Sequence, residues 1–373
     1  LYTEYNMASN NSFPNSTFSW GVGDKIFTGD TFFVDSGNAN ASTNGDGRRN
    51  QPFSSIETAL SKCTANNGDG IIVMPGHAET VSTSDGLDID VAGVSIVGLG
   101  EGTARPTITI ASSTAANVHI DANNCSIENC IFTASITAVV QYILVSGTNT
   151  RIENCHFQEG TGTPVNCITM GVADGDCNGS VIRGNTGVLT TAGNCDEWLS
   201  IIFDMDNVLI ENNWIDGDFD EACIEVPTAG DNYANLIIRN NYLRNRLTGQ
   251  HAIQLAVTNG DGAVYGNQVY TDALGTSIAQ GASARFNNTW TDGTASHVEF
   301  DNGNAIAVQG TVDMTAATDE CFVVTGGSIL VTGLWLTCTT INSDTNGVLD
   351  SLHVAGTTEF FASETQEVSL DGA

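Results

Sequence analysis

A six-residue phrase with a fixed order of apolar and polar positions repeats through the middle of the chain. It runs apolar, polar, small or Asn, Asn or Cys, and then two aromatic or aliphatic residues, as in 127–132 and 152–157. The fourth position of the phrase falls at Cys130, Cys155, Asn185, Asn213, Asn241, Asn267 and Asn288. The successive steps are 25, 30, 28, 28, 26 and 21 residues. A repeat of this length, built from short β-type runs, predicts a solenoid in which each period forms one coil.

Stacking the coils places equivalent positions above one another. The first position predicts an inward apolar column formed by Ile127, Ile152, Ile182, Ile210 and Ile238. The fourth position predicts a buried polar ladder formed by Asn213, Asn241, Asn267 and Asn288. Side-chain amides in such a ladder bond the coils above and below, which satisfies buried backbone groups.

Two of the ten cysteines, Cys130 and Cys155, occupy the ladder position in consecutive coils. Neighbouring strands lie about 4.8 Å apart, so a disulfide between them is geometrically allowed. A reduced stack of small buried side chains is the more common use of core cysteines. The sequence leaves both alternatives open.

One amphipathic helix is predicted near the start, at about 54–65. Ser54 and Glu57 fit a capping box, and the turn residues 66–68 end the segment. Its apolar face is formed by Ile56, Ala59, Leu60 and Cys63. Because the first coil of a solenoid exposes unpaired strand edges, we expect this helix to cap that end.

Three segments are expected along the chain. Residues 1–30 are polar and predict an extended N-terminal arm, and residues 31–290 carry the solenoid pattern. The phrase is absent from 291–373, which predicts either irregular last coils or a small β-rich C-terminal module. Strands are expected there at 322–325, 328–332 and 334–337.

Charge narrows the range of partners. The 373 residues include 43 acidic residues and 11 basic ones, for a net charge of −32. Nucleic acids and anionic membrane surfaces need clustered basic side chains, so neither is an expected partner. The sequence contains no apolar run of the about 18 residues that a membrane-spanning helix requires.

A resemblance to a known family covers roughly residues 31–290. The segments 33–37, 50–56, 68–76 and 94–100, followed by the Ile-Glu-Asn-Cys coils, resemble the pectate-lyase-like superfamily. Together with 76–80, they are similar to β-helix proteins encoded by tailed bacteriophages. The resemblance implies an all-β fold, a right-handed parallel β-helix, with an N-terminal capping helix and a β-rich C-terminal end.

The resemblance also implies where to look for chemistry. Lyases of the superfamily resemble one another in pairing a Ca²⁺ site of acidic side chains with an Arg or Lys base. The most site-like group here consists of Asp216, Asp218, Asp220, Glu221, Arg239, Arg244 and Arg246. No Lys lies nearby, and an acidic surface disfavours a polyanionic sugar. The alternative is a solvated acidic turn whose charge the arginines balance.

Metal binding and carboxylate-pair catalysis receive weaker support. Asp216, Asp218 and Asp220 resemble the start of a Ca²⁺ loop, but Glu221 stands where that loop needs Gly. Ca²⁺ is therefore a weak candidate, and no other cofactor is predicted. The pairs 204/206 and 174/176 place two carboxylates on one strand face, but no matching His or Lys motif follows them.

The sequence thus favours a non-enzymatic structural protein on the exterior of a tailed-phage virion. The residues assemble no complete catalytic set, and the chain starts at Leu1, which is not an initiator Met. The polar arm would bind capsid or tail proteins, and other phage β-helices suggest a homotrimer. The first alternative is a depolymerase acting on a host surface glycan, and the second is a secreted adhesin.

Overall fold

The structure, a computed structural model, describes most of residues 20–291 and short strands beyond them. The gaps within this range are 23–24, 175, 192–194, 228–232, 256–259, 272–277, 280–283 and 287. The predicted solenoid is confirmed: three sheets of stacked strands run along the chain, and their pairing is parallel up to residue 291. The chain divides into two compact units, 1–307 and 308–373.

Each full coil contributes one strand to each sheet, in the order A, B, C. Sheet A consists of Thr31–Val34, Gly70–Val73, Ser95–Gly98, Ser126–Glu128, Arg151–Glu153, Val181–Arg183, Leu209–Glu211, Leu236–Arg239, Gly262–Tyr265 and Ala284–Phe286. Sheet B consists of Ala78–Val81, Thr107–Ile110, Ile131–Ala134, His156–Gln158, Thr186–Leu189, Trp214–Gly217, Tyr242–Asn245, Gln268–Tyr270, Thr289–Thr291, Ser296–Glu299 and Ile306–Gln309. Sheet C consists of Leu87–Ile89, Val118–Ile120, Val139–Val145, Pro164–Met170, Cys195–Ile201, Phe219–Val226, His251–Leu255 and Ile278–Ala279.

Smaller pairs lie outside the three sheets. Inside the predicted arm, Trp20–Val22 and Lys25–Phe27 form an antiparallel pair, and Phe27 is buried against the first coils. Residues 1–19 lie outside the described residues. Met205–Asp206 pairs in parallel with Tyr233–Ala234.

Parallel stacking ends in sheet B, where Ser296–Glu299 runs antiparallel to Thr289–Thr291. The second unit contains two short antiparallel pairs. These pairs are Val348–Leu349 with Val368–Ser369 and His353–Val354 with Thr358–Glu359. The strands predicted at 322–325, 328–332 and 334–337 lie outside the described residues.

The predicted isoleucine column is confirmed and forms one wall of the core. Ile127, Ile152, Ile182, Ile210 and Ile238 are consecutive register partners, and each is fully buried. Each coil buries little apolar surface by itself, so the stability of the solenoid comes from this contact between coils.

Replacing Ile182 with Ala in the middle of this column is expected to lower the free energy of unfolding by about 2–5 kcal/mol, because the cavity is closed on both sides. Denaturant titration measures the change. Val172→Ala is the control, since Val172 is 50% exposed and its truncation should cost little. Equal losses in the two variants would contradict the column.

The asparagine ladder is also confirmed, and it begins one coil earlier than predicted, at Asn185. The rungs at Asn185, Asn213, Asn241 and Asn267 repeat the same three bonds. In the rung at Asn213, the backbone N–H and the side-chain Nδ2 both donate to Asn241 Oδ1 at 2.9 Å, and Nδ2 also donates to the Ile182 carbonyl at 3.0 Å. The ladder side chains expose 2% or less of their surface.

The corner between sheets A and B explains the third position of the phrase. This position has a left-handed backbone in every described copy: Asn129, Asn154, Gly184, Asn212, Asn240 and Gly266, with φ between 54° and 67°. Asn and Gly are the residues that adopt this conformation at low cost. The corner therefore requires Asn or Gly at the third position and turns the fourth side chain into the interior.

Cys130 and Cys155 are free thiols in the structure, as are the other cysteines that it describes. Cys155 Sγ donates to the Glu153 carbonyl at 3.4 Å, and Cys130 Sγ donates to the Glu128 carbonyl at 3.5 Å. Burial raises the pKa of both thiols, that of Cys155 to about 12. Of the two alternatives, the structure therefore has the reduced stack.

The N-terminal helix is shorter than predicted and spans only Ile56–Leu60. Its N-cap is Ser55, whose hydroxyl accepts from the Thr58 N–H, and not Ser54. Glu57 makes no capping box, because its carboxylate accepts from the Asp88 N–H of the first sheet C strand. The helix packs its buried face on the first strands of sheets A and C, where it caps the solenoid.

Asp69 accounts for the early end of the helix. Its carboxylate accepts from the N–H groups of Thr64 and Asp30, each at 2.7 Å, and from Asn67 Nδ2. These bonds hold the chain in a turn that leads directly into the strand Gly70–Val73.

Among the described residues, no helix is long and apolar enough to cross a membrane.

Candidate active site on sheet C

The site residues predicted from the sequence separate into three groups. Asp216 and Asp218 lie with Arg244 and Arg246 where sheet B ends. Arg239 lies across the Asn240–Asn241 corner, on sheet A. Asp220 and Glu221 belong to sheet C. The predicted cluster is therefore divided among three faces of the solenoid.

Asp216 makes a structural ion pair. Arg246 binds it in a bidentate manner, with Nε and Nη2 each 2.6 Å from a carboxylate oxygen. Arg244 Nε lies 3.8 Å from Asp216, and its guanidinium sits over the Tyr270 ring at 4.6 Å. Burial raises the pKa of Asp218, and Arg246 opposes this shift. The Asp216 carboxylate is thus already paired with a cationic side chain of the protein, the guanidinium of Arg246.

Arg239 belongs to a ladder of alternating charges on the outer face of sheet A. Its Nη2 lies 2.7 Å from Glu211, and its Nη1 donates to the Tyr265 hydroxyl at 3.0 Å. One coil earlier, Arg183 bridges Glu153 at 2.5 Å and Glu211 at 3.6 Å. These half-exposed arginines cover carboxylates and link the coils.

The three candidate metal ligands Asp216, Asp218 and Asp220 do not come together. Asp216 faces Arg246 from sheet B, whereas Asp220 lies in a strand of sheet C. Within the described part of the chain, no group of three or more His, Cys, Asp or Glu side chains is arranged to hold a metal ion.

The strongest concentration of titratable groups lies on sheet C, and sequence reasoning missed most of it. It consists of Asp196, Glu197, Asp220, Glu221 and Glu225, with His251 and Gln254 on the next strand. Asp220 and Glu221 reach it through a break in register, since Cys195 pairs with Phe219 but Glu197 pairs with Ala222. The extra residue is a β-bulge, which re-aims the side chains around it.

Glu197 and Glu225 form a pair within this cluster. The Glu197 side chain exposes 7% of its surface and Glu225 exposes 3%. Burial, followed by the hydrogen bond and the charge of Glu225, raises the pKa of Glu197 to about 10. Burial and the neighbouring carboxyl group therefore keep Glu197 protonated at neutral pH.

Neutral polar groups hold the pair in place. The Asn166 side-chain amide donates to Glu197 Oε2, and Gln254 Nε2 donates to Glu225 Oε1 at 2.7 Å. Burial lowers the pKa of His251, although Glu225 opposes this shift, so its imidazole is neutral at pH 7. His251 Nδ1 is buried without a hydrogen-bond partner among the described residues.

The rim of the cluster is acidic and more accessible. Glu221 is exposed, and Asp196 and Asp220 are half-buried. Burial first, and then the neighbouring carboxylates, raise the pKa of Asp196 and of Glu221. The arrangement can donate a proton from its centre and stabilise positive charge at its rim, but it repels an anionic ligand.

The raised pKa of Glu197 makes stability depend on pH. The folded protein binds the Glu197 proton up to about pH 10, whereas the unfolded chain releases it near the ordinary glutamate value of 4.5. The folded state therefore holds more protons across this window, and its stability falls as pH rises. We expect the melting temperature of Glu197→Gln to fall less than that of the wild type between about pH 5 and about pH 9. Equal falls of the melting temperature with pH in the variant and the wild type would contradict the raised pKa of Glu197.

A second constellation, near the start of sheet C, does not complete a hydrolytic site. His119 Nε2 lies 2.9 Å from Ser146 Oγ, and His119 Nδ1 lies 3.4 Å from Asp85. The N–H groups of Ser146 and Gly147, however, both donate to the Ile120 carbonyl at 3.0 Å. Neither of these N–H groups is free to stabilise an oxyanion, which acyl transfer requires.

The fold and this site define a parallel β-helix protein with a cluster of acidic side chains, including a buried carboxyl pair, on one sheet. No protein-family model and no curated protein matches the chain. Solved structures similar to it include the following three. A rhamnogalacturonan lyase is 14% identical over 70% of this chain and 87% of its own, with a TM-score of 0.39. The pectate lyase Pel9A is 11% identical over 70% and 76%, with a TM-score of 0.42. The A-module of mannuronan C-5 epimerase AlgE6 from Azotobacter vinelandii is 13% identical over 64% and 76%, with a TM-score of 0.34.

Proposed function

We propose that the protein cleaves a neutral polysaccharide at the outer face of sheet C, with Glu197 as the proton donor. The observation that carries the proposal is the pair of buried carboxyl groups, Glu197 and Glu225, in which burial and the neighbouring carboxyl group keep Glu197 protonated at neutral pH. A carboxylic acid that stays protonated at pH 7 is what the departure of a glycosidic oxygen requires. Of the hypotheses from the sequence, we thus adopt the first alternative, a depolymerase, in place of a purely structural role.

The roles follow from burial and charge. Glu197 transfers its proton to the glycosidic oxygen as the bond to the anomeric carbon breaks. Glu225 is a positioning residue, because its charge keeps the proton on Glu197. The rim carboxylates Asp196 and Glu221 stabilise the positive charge that develops on the sugar, and one of them accepts a proton from the attacking water.

The chemical class of the substrate follows from the charges around the cluster. Among the described residues, no Lys or Arg contributes to the pKa shifts of Asp196, Glu197 or Glu221. A uronate carboxylate would meet only negative charge there, so a neutral glycan is favoured.

The test is a screen of neutral and acidic polysaccharides for the release of reducing ends and for product mass. The proposal expects one or more neutral polysaccharides to be cleaved by addition of water. Products that carry an unsaturated sugar would indicate a lyase and overturn the assignment of roles. Release from acidic polysaccharides alone would overturn the substrate class.

A structural role on a phage particle is the second candidate, and one observation favours it. The charged residues on sheet A and at the end of sheet B are used to link coils, as Arg183, Arg239 and Arg246 show. A rigid body of this kind suits display on a virion, with attachment through residues 1–30 and assembly as a homotrimer. Electron cryomicroscopy of the native particle tests this second proposal: copies anchored on a capsid or tail support it, and free protein contradicts it.

A further inference from the structure

We propose that a second sugar-binding site, for one neutral pyranose ring of a glycan, lies at the corner between sheets A and B beside Trp214. The inference rests on the proposed glycan-directed function and names a second contact for the same class of ligand. It is tested by binding, and therefore separately from cleavage.

The first observation is an aromatic pair exposed on the outer face of sheet B. The rings of Trp214 and Tyr242 are stacked, with centroids 5.6 Å apart and planes 7° apart. Trp214 is 41% exposed, which is high for a large apolar side chain. Since Tyr242 covers one face of the indole, the other face points along the stack toward Thr186, the register partner of Trp214 in the preceding coil.

The second observation is a depression of about 280 Å³ beside Thr186. Thr186, Gly184 and Arg105 are among the residues that line it. The volume lies just below the about 300–1,000 Å³ range of small-ligand pockets. Thr186 thus lines the depression and is also the register partner of Trp214.

The third observation is that a corner residue without a side chain lines the depression. The corner column carries Asn129, Asn154, Asn212 and Asn240, but Gly184 has no side chain at the same left-handed position, with φ of 67°. A Cβ there would lie 2.5 Å from Asn154 Oδ1, and Asn154 also lines the depression. A side chain added at this position therefore displaces the Asn154 amide and changes the lining.

These features fit a pyranose ring. The C–H face of a sugar packs on an aromatic ring, and the hydroxyl groups need donors and acceptors at the edge of that ring. Arg105 donates through Nη1 to the Asn154 carbonyl at 3.1 Å, and Glu101 is an exposed acceptor in the same lining. One cation and one carboxylate leave the site without a charge preference, which favours a neutral sugar.

The chain offers a matched pair of variants. Gly184→Asn restores the residue that neighbouring coils carry at this corner, so the fold is retained while the depression is filled. Gly266→Asn makes the same change at φ of 66°, in a coil away from the depression. Trp214→Ala removes the aromatic face, and Trp214→Phe keeps a ring.

The experiment is isothermal titration of each variant with cellohexaose, maltohexaose, chitohexaose and hexagalacturonate, in the Glu197→Gln background that blocks cleavage. We expect at least one neutral hexamer to bind, and Gly184→Asn and Trp214→Ala to weaken its affinity on the order of tenfold. Gly266→Asn and Trp214→Phe should bind within about twofold of the parent.

Three results would overturn the inference: no heat with any neutral hexamer, binding of hexagalacturonate alone, or equal affinities for Gly184→Asn and Gly266→Asn. Failure here leaves the proposed function standing if the wild type still cleaves its substrate. Conversely, tight binding that depends on Trp214, without any cleavage by the wild type, would remove the catalytic proposal and keep this site.

Discussion

Replacing Asn241 with Ala should lower the free energy of unfolding by about 3–5 kcal/mol, among the largest effects of a single substitution. Asn241 Oδ1 accepts from the N–H and the Nδ2 of Asn213, and Asn241 Nδ2 donates to the Ile210 carbonyl and to Asn267 Oδ1. Alanine removes these four bonds, although Asn213 Nδ2 keeps the Ile182 carbonyl and Asn267 Oδ1 keeps the Asn241 N–H. The Asn213 N–H and the Ile210 carbonyl lose these partners, at about 1–3 kcal/mol for each group that water cannot reach. Chemical denaturation followed by circular dichroism measures the loss.

Asn240 supplies the control for the ladder, because it is the same residue type one position earlier. Its side chain is exposed, and its φ of 54° suits glycine. Asn240→Gly should therefore change stability by about 1 kcal/mol or less. Similar losses for Asn240→Gly and Asn241→Ala would show that the turn, and not the buried ladder, holds the coils together.

Glu197→Gln should reduce the rate of polysaccharide cleavage by about 10²–10⁴-fold, since it removes the proton donor and keeps the shape of the side chain. Glu225→Gln should act differently. Without the neighbouring charge, the pKa of Glu197 falls toward its ordinary value, so Glu197 loses its proton at lower pH. The basic limb of the pH–rate profile is then expected to shift to lower pH, whereas a merely structural role for Glu225 would not move it.

Glu211→Gln is the matched control for both substitutions. Glu211 is as buried as Glu197, at 6% exposure, but it lies on sheet A, where it pairs with Arg239. This variant should lose stability and keep its cleavage rate per folded molecule. A loss of cleavage equal to that of Glu197→Gln would mean that any buried carboxyl matters, and the assignment of roles would fail.

The fold was predictable because its determinants recur at a fixed place in each period. The column through Ile182 and the ladder through Asn213 each follow from one position of the phrase, and the structure confirms both. The helix was predicted at the correct place but with too great a length. The hydrogen bonds that hold the turn after it come from Asp69, which the local apolar pattern does not include.

The site was less predictable because sequence distance is a poor guide across a corner. Arg239 and Arg244 are five positions apart, yet the Asn240–Asn241 turn sends them to different sheets. The carboxylates of sheet C were missed for a related reason. Acidic residues are depleted in strands, so local propensity disfavours a strand at Asp196 and Glu197, although the strand begins at Cys195 and includes both.

Glu225 lies in the strand Phe219–Val226, but nothing local pairs it with Glu197, which is 28 positions earlier (225 − 197). That pairing depends on the register between coils and on the bulge at Asp220 and Glu221. Two acidic residues about one period apart, on the strands that follow the same corner, are the sequence signal that could have found the pair.

Cleavage at Glu197 is tested most directly by a crystal structure of Glu197→Gln soaked with the oligosaccharide that the wild type cleaves. We expect a sugar on the outer face of sheet C, with a glycosidic oxygen within hydrogen-bond distance of the side-chain amide that this substitution places at position 197. A sugar found only beside Trp214, or no sugar within reach of position 197 at saturating ligand, would contradict cleavage at this site.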